Sequence, residues 1–547
     1  MERADRGDLY QEGLDRDQRR AAGVYYTPPA LATYVVAETL VPILPRLRWD
    51  TDGAPRLRVL DPAAGSGRFL VAAADVLADV AAERGFDRAA ARAAIIGRCL
   101  VGIERDEAAA TLAREALGPG ADVRVGDVLL GGAGDGARWD AIVGNPPYVR
   151  SVTLKREDPD AWQRLRGAFR ATSYKEWDVY AAFVEWAARR LVPGGECGLL
   201  VPSRIFTAAF AAPLRGWLGG EGLVRKVVDF GHAQLFRGAT TYTAALFLGR
   251  TPTDATPRRA VQVARLEDAT QPAVPPTAPA WAQGAIDART LGEAPWVLTV
   301  GARAREATRL AASGPTLGSV ARISKGAGTN ADPIFVRPVD AWRVDGVEPD
   351  HLVPVVRGRD VGALTLAAPC LALLPYKDGK LVPFDALPPG TRAWLLANRA
   401  ALEAREDGRY VGESFHRWGR PQNLVWHLDP APKVMVPDAT LGGRAGLDRH
   451  GWLALDSAYA VRPTDPRVAV GLIYAVLASP VVPRWLGATG IQLRGGYVRM
   501  KTAYLLGLPL PDPATPAARE VAALAENLPD GDAAAREELI SRVLALY

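Results

Sequence analysis

Along residues 23–249, short apolar runs alternate with alanine-rich periodic stretches. The runs at 57–61, 100–104, 139–144 and 197–203 are apolar at successive positions, as in strands buried on both faces of a parallel sheet. Between them, 68–84, 88–98 and 107–117 have the length and spacing of crossover helices. Further runs at 227–232 and 239–250 read as two closing strands. The alternation predicts an α/β unit with a predominantly parallel sheet.

Residues 1–22 read as a polar arm and 23–250 as the α/β domain. The stretch 251–290 is rich in Pro, Thr and Ala, and reads as a linker or irregular segment. A second region, 291–520, mixes strand-like runs at 370–376 and 433–438 with helix candidates at 389–406 and 467–479, so a mixed α+β domain is expected. The chain from 514 onward reads as one or two amphipathic helices, with 521–547 as a C-terminal helical tail. No internal repeat is visible.

Composition narrows the classes. At 547 residues, with 48% hydrophobic positions, the chain can build more than one core. No apolar run reaches the roughly 18 residues of a membrane helix. The charged N-terminus lacks a signal-peptide core, so a soluble protein of a bacterial or archaeal cytoplasm is expected. Cys99, Cys197 and Cys370 form no close pair, and five histidines are scattered, so neither a disulfide scaffold nor a metal site is expected. The formal charge of +5 leans modestly towards nucleic acid.

The first candidate chemistry lies at strand ends. Val59-Leu60-Asp61 runs into Pro62-Ala63-Ala64-Gly65-Ser66-Gly67, a strand ending in an acid before a small-residue loop. The glycines allow a tight turn and close ligand approach. An acid there suits a cationic amine rather than a pyrophosphate, and the loop lacks the P-loop pattern. Glu104, ending the next strand, can accept both hydroxyls of a ribose. Asp127 can accept from an adenine amino group. The carboxyl ends of strands in such sheets share one crevice.

The second is Asn145-Pro146-Pro147-Tyr148, directly after the strand at 139–144. The prolines stiffen the backbone and remove two N–H donors. An acceptor-rich pocket remains, with an aromatic ring beside it. The Asn145 side-chain oxygen and the Pro146 carbonyl can hold both hydrogens of a planar amine, freeing its lone pair to take a methyl group from a sulfonium. Tyr148 can stack on the ring that bears the amine. Phe236, with Arg237 beside it, is the candidate for the opposite face. Cys370, inside an apolar run, reads as core rather than as a nucleophile.

In these segments the chain resembles the adenine-specific (N6) DNA methyltransferases of restriction–modification systems, TaqI/Eco57I-like, with a C-terminal target-recognition domain. The resemblance implies a Rossmann-like S-adenosyl-L-methionine-dependent catalytic domain, followed by a mixed α+β DNA-specificity domain. It implies that Tyr26, Thr27 and Pro28 close over the methionine end of the cofactor, and that Asp61, Ala63, Gly65 and Gly67 form its loop. Glu104 resembles the ribose acid, Asp127 the acid near the cofactor adenine, and Asn145 to Tyr148 the catalytic tetrapeptide. Phe236 resembles the residue that stacks on a base flipped out of the duplex.

Landmarks of the specificity region extend the likeness over residues 20–515. They include Gly326 to Asn330, Arg357 to Val361, Leu374 to Tyr376, Pro432 to Pro437, Tyr474 to Pro480 and Tyr504 to Pro511. There, Lys325, Arg357, Arg420, Gln492, Arg494, Arg499 and Lys501 are candidates for DNA contact, as is Trp418.

The implied partners are double-stranded DNA and a separate restriction endonuclease, with the chain a monomer; only 22 residues precede Gly23, too few for a nuclease domain. Such a pocket also suits an RNA adenine or a glutamine side chain, and the long second region weighs against the latter. A decayed, DNA-binding scaffold is disfavoured by the intact pocket residues. A nicotinamide dehydrogenase is disfavoured by the loop pattern.

Overall fold

The structure is a computed structural model, which describes residues 27–131, 136–174, 176–236, 242–252, 256, 258–267, 281–490, 493–529 and 532–547. The arm 1–22, Tyr26, Arg237 and Gln492 therefore lie outside the described residues. The chain divides into two units, Met1–Gly301 and Ala302–Tyr547.

The first unit is built on nine strands: β1 (Val59–Asp61), β2 (Leu100–Glu104), β3 (Asp122–Val125), β4 (Trp139–Gly144), β5 (Leu191–Pro202), β6 (Val224–Asp229), β7 (Thr243–Gly249), β8 (Ala260–Leu266) and β9 (Trp281–Asp287). Their order is β3-β2-β1-β4-β5-β7-β6-β8-β9. The pairs from β3 to β5 are parallel, whereas β7 runs antiparallel between β5 and β6. The chain leaves β1 towards β2 on one side and later returns as β4 on the other. That split makes a crevice beyond the carboxyl ends of β1 and β4.

Both faces of the sheet are covered, which explains the unbroken apolar runs. Val59, Ala141 and Val143 join the core under helices α1 (Pro29–Leu40), α2 (Arg68–Glu83), α3 (Arg88–Cys99) and α4 (Glu107–Leu117). Leu60 and Ile142, pointing the other way, join the core under α5 (Val179–Arg190). Helices α3 and α4 start on Asp87 and Asp106, whose carboxylates accept from the N–H groups of Ala90 and Ala109. Helix α1 packs so tightly on β5 that a Cβ at Gly198 would stand 2.1 Å from Thr39 Oγ1. The expected α/β architecture with a mainly parallel sheet is what the chain adopts.

Two boundaries differ from expectation. Residues 251–290, expected as a linker or irregular segment, contain β8 and β9, which extend the sheet beyond β6. The Pro- and Thr-rich composition belongs to the connections, while the alternating 260–266 run supplies buried residues such as Val261 and Val263. The helix expected over 389–406 is two short helices, Pro389–Ala397 and Arg399–Glu403. The break falls at Asn398, whose side-chain amide donates to Trp394 O at 2.9 Å and competes with the helical ladder.

The second unit holds two four-stranded sheets. One is antiparallel, ordered β10 (Ala321–Lys325), β17 (Ala458–Pro463), β14 (Lys433–Pro437), β15 (Gly446–Asp448). The other is ordered β11 (Val336–Pro338), β13 (Cys370–Leu373), β12 (Leu352–Val356), β16 (Leu453–Ala454). The apolar helix Val470–Leu477 and the tail helices Pro516–Glu526 and Ala533–Ala545 pack on the first core. Cys370 is buried in the second, as expected of a core residue. No single helix among the described residues is long and apolar enough to cross a membrane.

Lys433 and Asp448 form an ion pair at 2.5 Å with both side chains fully buried. The carboxylate also accepts from the N–H groups of His450 and Trp452. Removing one partner leaves the other charge uncompensated in the core. Lys433→Met is expected to lower stability by about 3–5 kcal/mol, read as a fall in the urea midpoint of the second unit. Lys433→Met combined with Asp448→Asn, which removes the stranded charge and keeps an acceptor for the backbone N–H groups, is expected to recover part of the loss.

Candidate functional site

The site grows from the sheet's split. Strand β1 delivers Asp61 fully buried at its carboxyl end. One carboxylate oxygen accepts from Ala63 N–H at 3.1 Å. The other, Oδ2, is buried with no hydrogen-bond partner. Burial pushes the Asp61 carboxyl up to about 8; the Ala63 N–H opposes this and the nearby Glu104 charge adds to it. A buried acid with one idle acceptor is a natural seat for a cation.

Across the split, β4 ends at Gly144. A Cβ there would stand 2.7 Å from Asp61 Oδ1, so only glycine lets the two strand ends lie this close. The loop after β1 turns through Gly65 and Gly67, whose φ angles of 53° and 85° are left-handed. Gly65 N–H donates to Glu104 Oε2 at 2.8 Å, and Asp106 N–H donates to Oε1 at 2.9 Å. Burial raises the Glu104 carboxyl, against these N–H contacts. Each Glu104 oxygen thus has one lone pair spent on backbone and another to offer. Gly126 N–H donates to Glu104 O, which ties the end of β3 to that of β2, and Asp127 follows with Oδ1 accepting from Leu129 N–H at 2.8 Å. Asp61, Glu104 and Asp127 thus all stand at the carboxyl ends of neighbouring parallel strands.

Asn145 follows Gly144. Its side-chain nitrogen donates to Thr27 Oγ1 at 3.2 Å, while its oxygen is buried and without a donor. Thr27 sits just ahead of α1, whose first turn begins with Pro29 after Pro28. The hydroxyl thus tethers the Asn145 side chain, a positioning contact that the sequence does not reveal.

Tyr148 packs among aromatic rings. Its centroid is 5.9 Å from Tyr180 at 72° and 6.4 Å from Phe236 at 69°, both edge-on. Phe236 is only 2% exposed, so it is an anchored ring at the site's margin rather than a free loop side chain. The segment after the tetrapeptide is laced to the start of α5: Ser151 N–H donates to Trp177 O at 2.7 Å and Val179 N–H to Val149 O at 2.9 Å. Asp178, 6% exposed, pairs with Arg204 at 3.1 Å. Tyr180 and Asp178 have no counterpart in the sequence reading; the aromatic–acid run at 177–180 is their only local signal.

The second unit treats its candidates unevenly. Trp418, expected as a reader of bases, is instead fully buried, donates Nε1–H to Leu373 O at 3.2 Å and packs against Phe335 and Tyr376. Its indole is needed to fill the second core. Arg357 binds Asp360 at 2.9 Å within its own turn, and Arg499 binds Asp438 at 2.5 Å. Lys325 is half-buried, and Lys501 and Arg420 are exposed. Among the described residues no group of three or more His, Cys, Asp or Glu could hold a metal ion.

Residues 99–236 match the model of the Eco57I restriction-modification methylase family. The Type II methyltransferase M.BstVI of Geobacillus stearothermophilus is 23% identical, covering 90% of this chain and 91% of its own. The Type II methyltransferase M.XhoI of Xanthomonas vasicola is 25% identical, covering 68% of each. Among solved structures, the Type IIL restriction-modification enzyme MmeI in complex with DNA shares the fold, with a TM-score of 0.66 and 15% identity over 100% of this chain and 79% of that one. The chain is thus related to the Eco57I-type restriction-modification methylases through the segment that carries Glu104, Asn145 and Phe236.

Proposed function

We propose that this chain transfers a methyl group from S-adenosylmethionine to the N6 amine of an adenine flipped out of double-stranded DNA, as the modification activity of a restriction–modification system. The observation that carries this reading is the buried, donor-less side-chain oxygen of Asn145, one residue beyond the glycine that lies against Asp61. Likeness to Type II methyltransferases over most of the chain supports it.

The residues fit the cofactor by their chemistry. The idle Asp61 oxygen suits the cationic amine of its methionine end, the remaining acceptor capacity of Glu104 suits the ribose hydroxyls, and Asp127 suits the adenine amine. When bound, S-adenosylmethionine would supply a methyl group on a sulfonium; its transfer to N6 would break the S–CH3 bond, leave a neutral thioether and release one N6 proton to solvent.

This chain's own part is to hold the target. Asn145 Oδ1 accepts one N6 hydrogen and the Pro146 carbonyl the other, drawing the nitrogen out of conjugation with the ring. Thr27 tethers the Asn145 side chain through its amide nitrogen. Tyr148 and Phe236, edge-on to each other with centroids 6.4 Å apart, border the target base. The second unit supplies sequence recognition, through candidates that include Lys325, Arg357, Arg420, Arg499 and Lys501.

The direct test supplies labelled S-adenosylmethionine with duplex DNA, RNA and protein, followed by digestion to nucleosides. N6-methyladenosine from duplex DNA is expected; label in RNA alone or protein alone overturns the reading. Asn145→Ala is expected to cut turnover by at least about 100-fold, the scale of losing one such acceptor, while calorimetry shows cofactor affinity nearly unchanged.

The Asp61 carboxyl gives a pH signature. With its pKa pushed up to about 8, it is mostly protonated in the free protein at neutral pH, and seating a cation releases that proton. Cofactor affinity should therefore rise with pH by up to about tenfold per unit between pH 6 and 7, and flatten as the carboxyl ionises. Asp61→Asn should bind more weakly and lose this slope.

A further inference from the structure

We infer that Arg420 and Asp456 together read one guanine–cytosine pair in the major groove. The inference rests on the reading of the second unit as a DNA-recognition unit, and adds both a residue and a base-pair chemistry to it.

Four segments of that unit meet at one place: 326–330, 357–360, 417–422 and 455–458. Gly328 and Arg420 exchange backbone hydrogen bonds of 3.0 and 2.8 Å. Gly419 N–H donates to Thr329 O at 3.1 Å, and Gln422 Nε2 donates to Gly326 O at 2.8 Å. From the other side, Gly326 N–H donates to Ala458 O, and Gly358 N–H donates to Ser457 Oγ at 3.1 Å. The approach is close enough to require glycine. A Cβ at Gly326 would stand 2.1 Å from Leu455 O, and one at Gly419 would stand 2.3 Å from Asn330.

Beneath this lattice, Arg405 is 8% exposed and spends its guanidinium on carbonyls. It donates to Leu402 O, Thr329 O, Phe415 O and Arg417 O at 2.7 to 3.0 Å. It also lies over the Tyr410 ring at 4.6 Å. The outer side chains therefore stand on a rigid base.

Arg420, Asp456 and Asn330 all border Gly328, with Asn330 Oδ1 at 3.4 Å from the place of its missing Cβ. The Cβ atoms of Arg420 and Asp456 each lie 3.6 Å from the position a Cβ on Gly328 would take. Both residues are exposed. Among the described residues they form no ion pair with each other, although they flank the same glycine. The nearby Glu406, whose carboxyl feels the Arg420 charge, is already held by Asn330 and Arg409.

A fork of N–H donors beside a carboxylate matches one edge. In the major groove guanine offers O6 and N7 as acceptors, and its cytosine partner offers N4–H as a donor. Arg420 donates to the guanine and Asp456 accepts from the cytosine. An A·T pair places a single acceptor, N7, before its N6–H donor, so it lacks the two adjacent acceptors that the guanidinium fork takes.

The test maps methylated adenines on DNA treated with the full-length protein and its Arg420→Ala, Asp456→Ala and Arg420→Lys variants. The wild-type motif is expected to contain one fixed G·C pair. Arg420→Ala should relax that position alone, losing about 5- to 150-fold of discrimination, with other positions and cofactor affinity retained. Asp456→Ala should relax the same pair, and Arg420→Lys should keep a guanine preference at reduced strength. Should a variant methylate too slowly to map, its binding to duplexes carrying each of the four pairs at that position gives the same comparison. Variants that keep the wild-type selectivity, or relax an A·T position instead, overturn the assignment while leaving the methylase reading intact. A wild-type protein that modifies no duplex DNA overturns both.

Discussion

The first unit turns on how closely two strands can end. At the split between β1 and β4, the Asp61 carboxylate lies where any side chain on residue 144 would have to go. That contact puts a buried acid and the donor-less oxygen of Asn145 into one crevice, although they lie 84 positions apart in the chain. A bulkier residue would force the strand ends apart and with them the two halves of the site. The sheet order, the buried core on both faces and the packing of α1 on Gly198 all hold that geometry.

Asp61 and Asn145 are set up differently. Asp61 is hidden from water and tends to keep its proton. Asn145 cannot ionise, so its acceptor remains available at any pH, and its side chain is tethered to the Thr27 hydroxyl. One group responds to the charge of what arrives; the other responds to its shape. The pairing separates the seat for a cation from the grip on a neutral amine, which is the division that transfer between two bound molecules requires.

Much of this was legible in the sequence, for identifiable reasons. The runs ending in Asp61, Glu104 and Gly144 are buried on both faces, and such strands announce themselves by continuous apolarity. The tetrapeptide stands out because consecutive prolines after a strand have few structural uses. What stayed hidden depends on distant contacts. The Thr27 hydroxyl meets Asn145 across 118 positions, and Tyr180 is brought to Tyr148 by backbone lacing that no local pattern encodes. Composition misled at 251–290, where the connections obscured two strands, and at Trp418, where an aromatic suited to stacking on bases proved to be packed among rings of its own core.

The buried guanidinium of Arg405 has one more consequence. It binds carbonyls from three separate stretches of chain, so those stretches cannot loosen independently without stranding a charge in the interior. The surface above it must stand or fail as a block. Its conformational entropy is surrendered once, as the unit folds, and a partner arriving later finds that loss already incurred.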